Sequence, residues 1–362
     1  MREILSALTQ RKLIRLARKF YIPVGGKTED LISRFLTSYA PIKMILENIE
    51  NKDDLIIICK SLRISPLPRK RQDLEDLIYN KVIEGFPNND LIECLGSKYQ
   101  FIRNLAEGGQ GKVLLARESI TERVVAVKYS QLPEVASILQ RELKILASLD
   151  HRNIERLYTF ELVPKRPNLL FLVLEYCAGI TISDSISQHN KQLNWEVKIA
   201  VFRQALDGLF YFHSNDIVHG DISSGNIILS PPNYKYDNWL LKYIDFGAAR
   251  LGSEPITTTV KNERYSAPEL RCGPPTLCSD VFSLSVVMTE FLGNFFLFDN
   301  EKQKNDFDFI NNNVQKHIPE KYVNLLLQGL HPDPSIRVKN GRKLYDLWQK
   351  VINESDRILK IV

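Results

Sequence analysis

Two short stretches constrain this chain more than any other: "HGDISSGN" (219–226) and "YIDFG" (243–247). The first sets Asp221 and Asn226 five residues apart, and the second puts Asp245 after a strand-like run and before a glycine. Phosphoryl transfer needs a carboxylate near the acceptor hydroxyl and oxygen ligands for magnesium on the nucleotide phosphates. Asp221 has the chemistry for the first task, and Asn226 and Asp245 have it for the second. "YSAPE" (265–269), "SDVFSLS" (279–285) and "DPSIR" (333–337) then follow in order.

Upstream, "LAEGGQGKVLLA" (105–116) and "RVVAVKYS" (123–130) read as two strands flanking a glycine-rich turn. Gly108 and Gly111 allow backbone amides to approach phosphate oxygens where a side chain would obstruct them. Many hairpins share this look. Lys128, inside the β-branched run "VAVK", needs an anionic partner if it faces inward. One is available in "PEVASILQRELKILASL" (133–149), where Val135, Ile138, Leu139, Leu143 and Leu146 form an apolar stripe and Glu142 lies beside it. Glu142 reads equally as a buried carboxylate with a cationic partner or as a half-exposed residue of a mixed helix. "LLFLVLEYCAG" (169–179) reads as a buried strand. Backbone groups around Glu175 and Cys177 have the polarity to meet an adenine edge, with Val113 and Ala126 over its face.

Taken as an ordered set, these motifs make residues 97–352 resemble the eukaryotic-type Ser/Thr protein kinase domain. The resemblance implies an α+β bilobal fold, with a small β-rich lobe (about 97–176) and a large helical lobe (about 177–352). It implies ATP and Mg2+ as cofactors and a protein as substrate. It makes Asp221 the catalytic base, Lys128 the ligand of the α- and β-phosphates paired with Glu142, and Asn226 and Asp245 the magnesium ligands. Ile228 joins Gly108, Gly111, Val113, Ala126, Glu175 and Cys177 in the nucleotide site, and Leu174 becomes the gatekeeper. Asp280 would brace the catalytic loop, and Glu269 would pair with Arg337.

Four positions depart from that family's pattern. Gly220 replaces the arginine that usually reads a phosphate on the activation segment, so Thr257, Thr258 or Thr259 within "EPITTTVKN" (254–262) would lose the usual charge-based ordering. Ser223 replaces the lysine that steadies the γ-phosphate, and Asn262 replaces the threonine that contacts that lysine. Ala106 stands where a first glycine is expected. "HGDxxxxN" is also the loop of aminoglycoside and choline phosphotransferases, although those generally lack the "APE" segment and the DVFS-like helix start. A pseudokinase scaffold is a third reading, weakened by the presence of Lys128, Asp221, Asn226 and Asp245.

Residues 1–90 have a different texture, helical and poor in glycine, with "FPNND" (86–90) as the expected boundary. "LIRLARKFYI" (13–22) aligns without gaps on "LIIICKSLRI" (55–64), and "KTEDLISRFL" and "RQDLEDLIYNKV" follow as second helices. The pattern predicts a separate all-α domain of two helix–turn–helix repeats. Through Leu13, Gly26, Lys27, Leu31 and Ile32 it resembles the SAP domain, a helical module often associated with DNA. Arg11, Lys12, Arg15, Arg18 and Lys19 then read either as phosphate contacts or as the solvated basic face of a protein-docking helix.

A net charge of +5 on 362 residues neither demands nor excludes a nucleic acid partner. The five scattered cysteines suggest free thiols, not a zinc site or disulfide framework. "LLFLVL" and "LIIIC" are too short to span a bilayer, and no apolar leader opens the sequence. These features predict an intracellular protein, cytoplasmic or nuclear, with no membrane partner.

Overall fold

The computed structural model describes residues 2–359 except 21, 23, 26, 38–41, 66, 69, 83–94, 96–97, 109–110, 131, 164–165, 188–192, 233–237 and 253–262. It divides into two compact units, residues 1–135 with 159–176, and residues 136–158 with 177–362.

The N-terminal part is helical: α1 (Arg2–Ser6), α2 (Gln10–Lys19), α3 (Thr28–Thr37), α4 (Ile42–Glu47), α5 (Lys52–Ser61) and α6 (Arg71–Val82). The repeat is visible in hydrogen bonds as well as in sequence. Ile22 N donates to Ala17 O at 2.9 Å just past α2, and Ile64 N donates to Cys59 O at 2.9 Å just past α5. Each unit also begins with a short helix that the sequence reading lacked. Ile4, Leu5 and Leu8 of the first copy and Ile45, Leu46 and Ile49 of the second are buried at the same relative spacing. These pack with Leu13, Leu16, Ala17, Leu55, Ile58 and Cys59 into one apolar cluster. Arg71 at the head of α6 donates to Ile49 O at 2.6 Å and Glu50 O at 3.2 Å, using carbonyls left open where α4 ends.

The basic residues of α2 turn toward the second copy. Lys12 pairs with Asp54, while Arg15 and Lys19 meet Glu50 at 2.9 and 3.0 Å. The Lys19 and Arg15 contacts hold the Glu50 carboxyl below its ordinary pKa. Gly26 and the 86–90 boundary lie outside the described residues.

A five-stranded sheet follows, in the order β1-β2-β3-β5-β4, formed by β1 (Tyr99–Gly108), β2 (Gly111–Glu118), β3 (Val124–Tyr129), β4 (Leu157–Val163) and β5 (Arg166–Glu175). Pairing is antiparallel across β1, β2, β3 and β5. The register sets Val113, Lys128 and Leu172 in one row and Leu115, Ala126 and Leu174 in the next. With a side-chain period of two, both rows share one sheet face.

Helix α7 (Pro133–Ala147) buries Val135, Leu139 and Leu146. Glu142, fully buried, sits at the centre of this stripe and not at its margin, while Ile138 and Leu143 are only half-buried. The rest of the chain is mainly helical: α8 (Ile182–Ser187), α9 (Trp195–Ser214), α10 (Leu277–Gly293), α11 (Phe307–His317), α12 (Glu320–Leu330) and α13 (Gly341–Leu359). Nearly every residue of α10 is buried, which makes it the axis of this unit. Thr276 caps it by accepting from Ser279 N, while the Ser279 hydroxyl satisfies Thr276 N in return. Short strands frame the loops of interest: β6 (Ile180–Thr181), β8 (Ile227–Ser230) and β9 (Leu240–Tyr243) form one sheet, and β7 (Ile217–Val218) pairs with β10 (Arg250–Leu251). Among the described residues no helix is long and apolar enough to cross a membrane. Cys59, Cys177, Cys272 and Cys278 are free thiols.

Candidate active site

The loop between β7 and β8 carries Asp221 and Asn226, and its shape is set from below by Asp280. That carboxylate, 1% exposed, accepts His219 N at 2.7 Å on Oδ2 and Gly220 N at 2.9 Å on Oδ1. A third donor is His213 Nε2, 3.2 Å from Oδ2. The tautomer follows from the opposite side of the ring: Gly341 N donates to His213 Nδ1 at 2.8 Å, so the proton resides on Nε2. His213 was not anticipated from sequence, although it lies only eight residues before Asp221.

Gly220 holds φ +73°, a left-handed conformation in which a Cβ would approach Ala248 O at 3.2 Å. Glycine meets this backbone requirement without strain. His219 is fully buried against Phe246, with ring centroids 4.6 Å apart, and burial pushes its pKa down, so the imidazole is neutral.

Asp221 is oriented by Asn226, whose Nδ2 donates to Asp221 O at 2.9 Å and Oδ2 at 3.2 Å. The amide nitrogen is thereby spent, which leaves the carbonyl oxygen of Asn226 as its remaining side-chain polar atom. Main-chain bonds tie the second loop to the first: Asn226 O accepts Ile244 N at 3.0 Å. Asp245 itself adopts φ +62°, uncommon for a residue with a side chain. Its N–H donates to the buried Glu155, its Oδ1 accepts Gly247 N at 3.3 Å, and Arg141 of α7 donates to Gly247 O at 3.3 Å. Glu155 was missed because nothing in "NIERL" sets it apart from a surface glutamate. Asn226 and Asp245 thus supply hard oxygen donors of the kind Mg2+ takes.

Of the other sequence-selected residues, Lys128 is buried on the sheet face that also carries Val113 and Ala126. Gly111 has φ +116°, and a Cβ there would lie 2.4 Å from Tyr129 O, so the strand geometry alone demands glycine. Gly108 has open space around its missing Cβ. Glu175 ends β5, Cys177 is buried just beyond it, and Ile228 lies on β8 opposite Lys242 and Thr181. Arg337, 1% exposed, clamps Glu269 through Nη1–Oε1 at 2.6 Å and Nη2–Oε2 at 3.0 Å, as the sequence led us to expect. Ser223 is buried; Asn262 and Thr257–Thr259 lie outside the described residues.

A five-stranded β-lobe with a buried lysine and a helical lobe carrying this pair of loops together define the protein-kinase-like fold. The chain belongs to the protein kinase domain family, whose model matches residues 99–350. It is 31% identical over 217 residues to the serine/threonine-protein kinase PrkC of Bacillus subtilis, covering 57% of this chain and 32% of that protein. It is 28% identical over 276 residues to a probable serine/threonine-protein kinase of Clostridium acetobutylicum, covering 72% of this chain and 40% of that protein. With the SNF1-related protein kinase catalytic subunit alpha KIN12 of Arabidopsis thaliana it shares 28% identity over 270 residues, 72% of this chain and 51% of the relative. The chain therefore spans about a third to a half of the length of these relatives.

Proposed function

We propose that this chain is a protein kinase that transfers the γ-phosphoryl group of ATP to serine or threonine hydroxyls of proteins. The observation that carries the reading is the double hydrogen bond from Asn226 to Asp221, with Asp245 fixed beside the same loop. In this reading Asp221 accepts the proton of the acceptor hydroxyl. Lys128 neutralises the nucleotide phosphates and takes Glu142 as its counter-charge. The Asn226 carbonyl and the Asp245 carboxylate would hold Mg2+, which supplies positive charge to the phosphate oxygens. Backbone amides near Gly108 and Gly111 approach the phosphates, main-chain groups of Glu175 and Cys177 meet the adenine edge, and Val113, Ala126 and Ile228 cover the base.

Gly220 offers no cation to a phosphorylated activation segment, which supports a kinase whose activity does not depend on that modification. We assign residues 97–352 to the kinase domain and residues 1–90 to SAP-like repeats that recruit a protein or DNA, in a cytoplasmic or nuclear enzyme. The intramolecular pairing of Lys12, Arg15 and Lys19 favours protein docking over DNA.

The test is an acceptor comparison with labelled Mg-ATP: myelin basic protein against kanamycin and choline, followed by phosphoamino acid analysis. Phosphoserine or phosphothreonine on protein is the expected result. Label confined to the small hydroxyl compounds, or found on tyrosine alone, would contradict the proposal.

A further inference from the structure

We propose that Ser224 is a positioning residue for phosphoryl transfer, its hydroxyl coupling the loop that carries Asp221 to the stretch 263–267 through Tyr265. The inference rests on the kinase reading above and names a device that reading does not contain.

Ser224 lies three residues after Asp221 and is 2% exposed. Its Oγ is 2.7 Å from the phenolic oxygen of Tyr265, also buried. Tyr265 in turn lies 3.0 Å from Oε2 of Glu290, a fully buried residue of α10. The other oxygen of Glu290 accepts Leu297 N at 3.0 Å and Arg264 Nε at 3.4 Å. Burial raises the pKa of the Glu290 carboxyl, while Arg264, Leu297 N and the Tyr265 phenol act to lower it, and the Tyr265 hydroxyl donates to Oε2. The phenolic oxygen then accepts from Ser224. Burial raises the Tyr265 pKa far above neutrality, so the phenol remains a donor at any working pH.

Both ends of this relay are clamped. On the loop side, Ser224 O accepts Ser183 N at 3.0 Å, and Ser223 O accepts Asn226 N at 3.1 Å, so Ser224 does not move independently of Asp221 and Asn226. On the far side, Lys304, 1% exposed, donates to the carbonyls of Glu263 and Ser266, the second at 3.1 Å. Tyr265 therefore projects from a stretch pinned on either side of it. Glu269, bound to Arg337, anchors the same stretch two residues further on. With glycine at 220 and serine at 223, neither position offers a cation to join the loop to this stretch. The Ser224–Tyr265 hydrogen bond makes the connection with neutral groups and fixes the distance between the loop that carries the base and the stretch 263–267.

The experiment is a double-mutant cycle on the full chain: Ser224→Ala, Tyr265→Phe and both together, with myelin basic protein as acceptor and the melting temperature of each variant recorded. Ser224→Ala is expected to lower kcat about two- to tenfold, the worth of one buried hydrogen bond, with KM for ATP unchanged. The double variant should be no slower than Tyr265→Phe alone, because the second change removes nothing further. A general packing defect would instead lower the melting temperature and raise KM for ATP together. A parental kcat in Ser224→Ala, or strictly multiplicative losses in the double variant, would overturn the inference while leaving the kinase reading intact. Absence of transfer by the unaltered chain would overturn both.

Discussion

Asn226 holds Asp221 by two hydrogen bonds from one amide nitrogen, to the main-chain oxygen at 2.9 Å and to the carboxylate at 3.2 Å. One side chain thus fixes the proposed base and leaves its own carbonyl oxygen as the proposed metal donor. Asn226→Ala should remove both services at once. We expect kcat to fall by about 10- to 100-fold, as for other groups that orient a ligand or reacting side chain, and the half-saturating Mg2+ concentration to rise. Initial rates across a Mg2+ titration check this; an unchanged Mg2+ requirement would mean that Asn226 serves orientation alone.

Gly108 and Gly111 look alike in sequence and differ in structure. Gly111→Ala places a Cβ 2.4 Å from Tyr129 O at φ +116°, so it should cost more than about 1 kcal/mol of folding stability. Gly108→Ala meets no atom within 4 Å. It should leave the melting temperature unchanged and raise KM for ATP if phosphates approach the backbone there. Thermal melting of both variants with ATP kinetics for the second separates the two roles.

Lys198 gives a pH signature that owes nothing to catalysis. Its ammonium, buried beneath the end of α10, donates to Phe291 O at 2.9 Å, Leu292 O at 3.1 Å and Asn294 Oδ1 at 2.8 Å, and burial pushes its pKa down from 10.5 to about 8. Between those values the unfolded chain binds a proton that the folded chain lacks, so this group makes stability rise with pH across that window, with no contribution to the slope below it. The slope approaches about 1.4 kcal/mol per pH unit at most. Urea denaturation from pH 7.5 to 10 should show the parent gaining stability relative to Lys198→Met as pH rises; parallel curves would contradict the assignment.

What the sequence disclosed, and what it withheld, follows the range of the interactions involved. Helix α6 coincides with the predicted "RQDLEDLIYNKV" because its boundaries are marked by turn residues and its apolar residues recur with helical period. Asp221, Asn226 and Asp245 could be singled out because each lies in a motif contiguous in sequence, and the structure joins their two loops through Asn226; their roles remain those proposed above. Helices α1 and α4, five and six residues long, are too short for a period to register; they form because Ile4, Leu5, Ile45 and Leu46 find a core made by other helices. Contacts between residues far apart in sequence were invisible for a related reason. Glu155 is 90 residues from Asp245 and Ser224 is 41 from Tyr265, and no local pattern encodes either meeting.

The basic face of α2 gives a prediction that distinguishes its two readings. With Lys12, Arg15 and Lys19 engaged by Asp54 and Glu50, Arg11 and Arg18 are the remaining cations of the cluster. Binding of the full chain to duplex DNA should therefore be weak, with a log–log salt slope no steeper than about −2, the value for two neutralised phosphates. A slope near −4 or −5 would mean that the intramolecular pairs open and the whole cluster meets DNA.

The measurement that bears most directly on the central claim is transfer of labelled γ-phosphate from Mg-ATP to protein by the parent chain, Asp221→Asn and Asp245→Asn. The account predicts label with the parent and loss of it in both variants, with each variant retaining the parental melting temperature. Undiminished label in Asp221→Asn, or none from a folded parent that binds ATP, would contradict it.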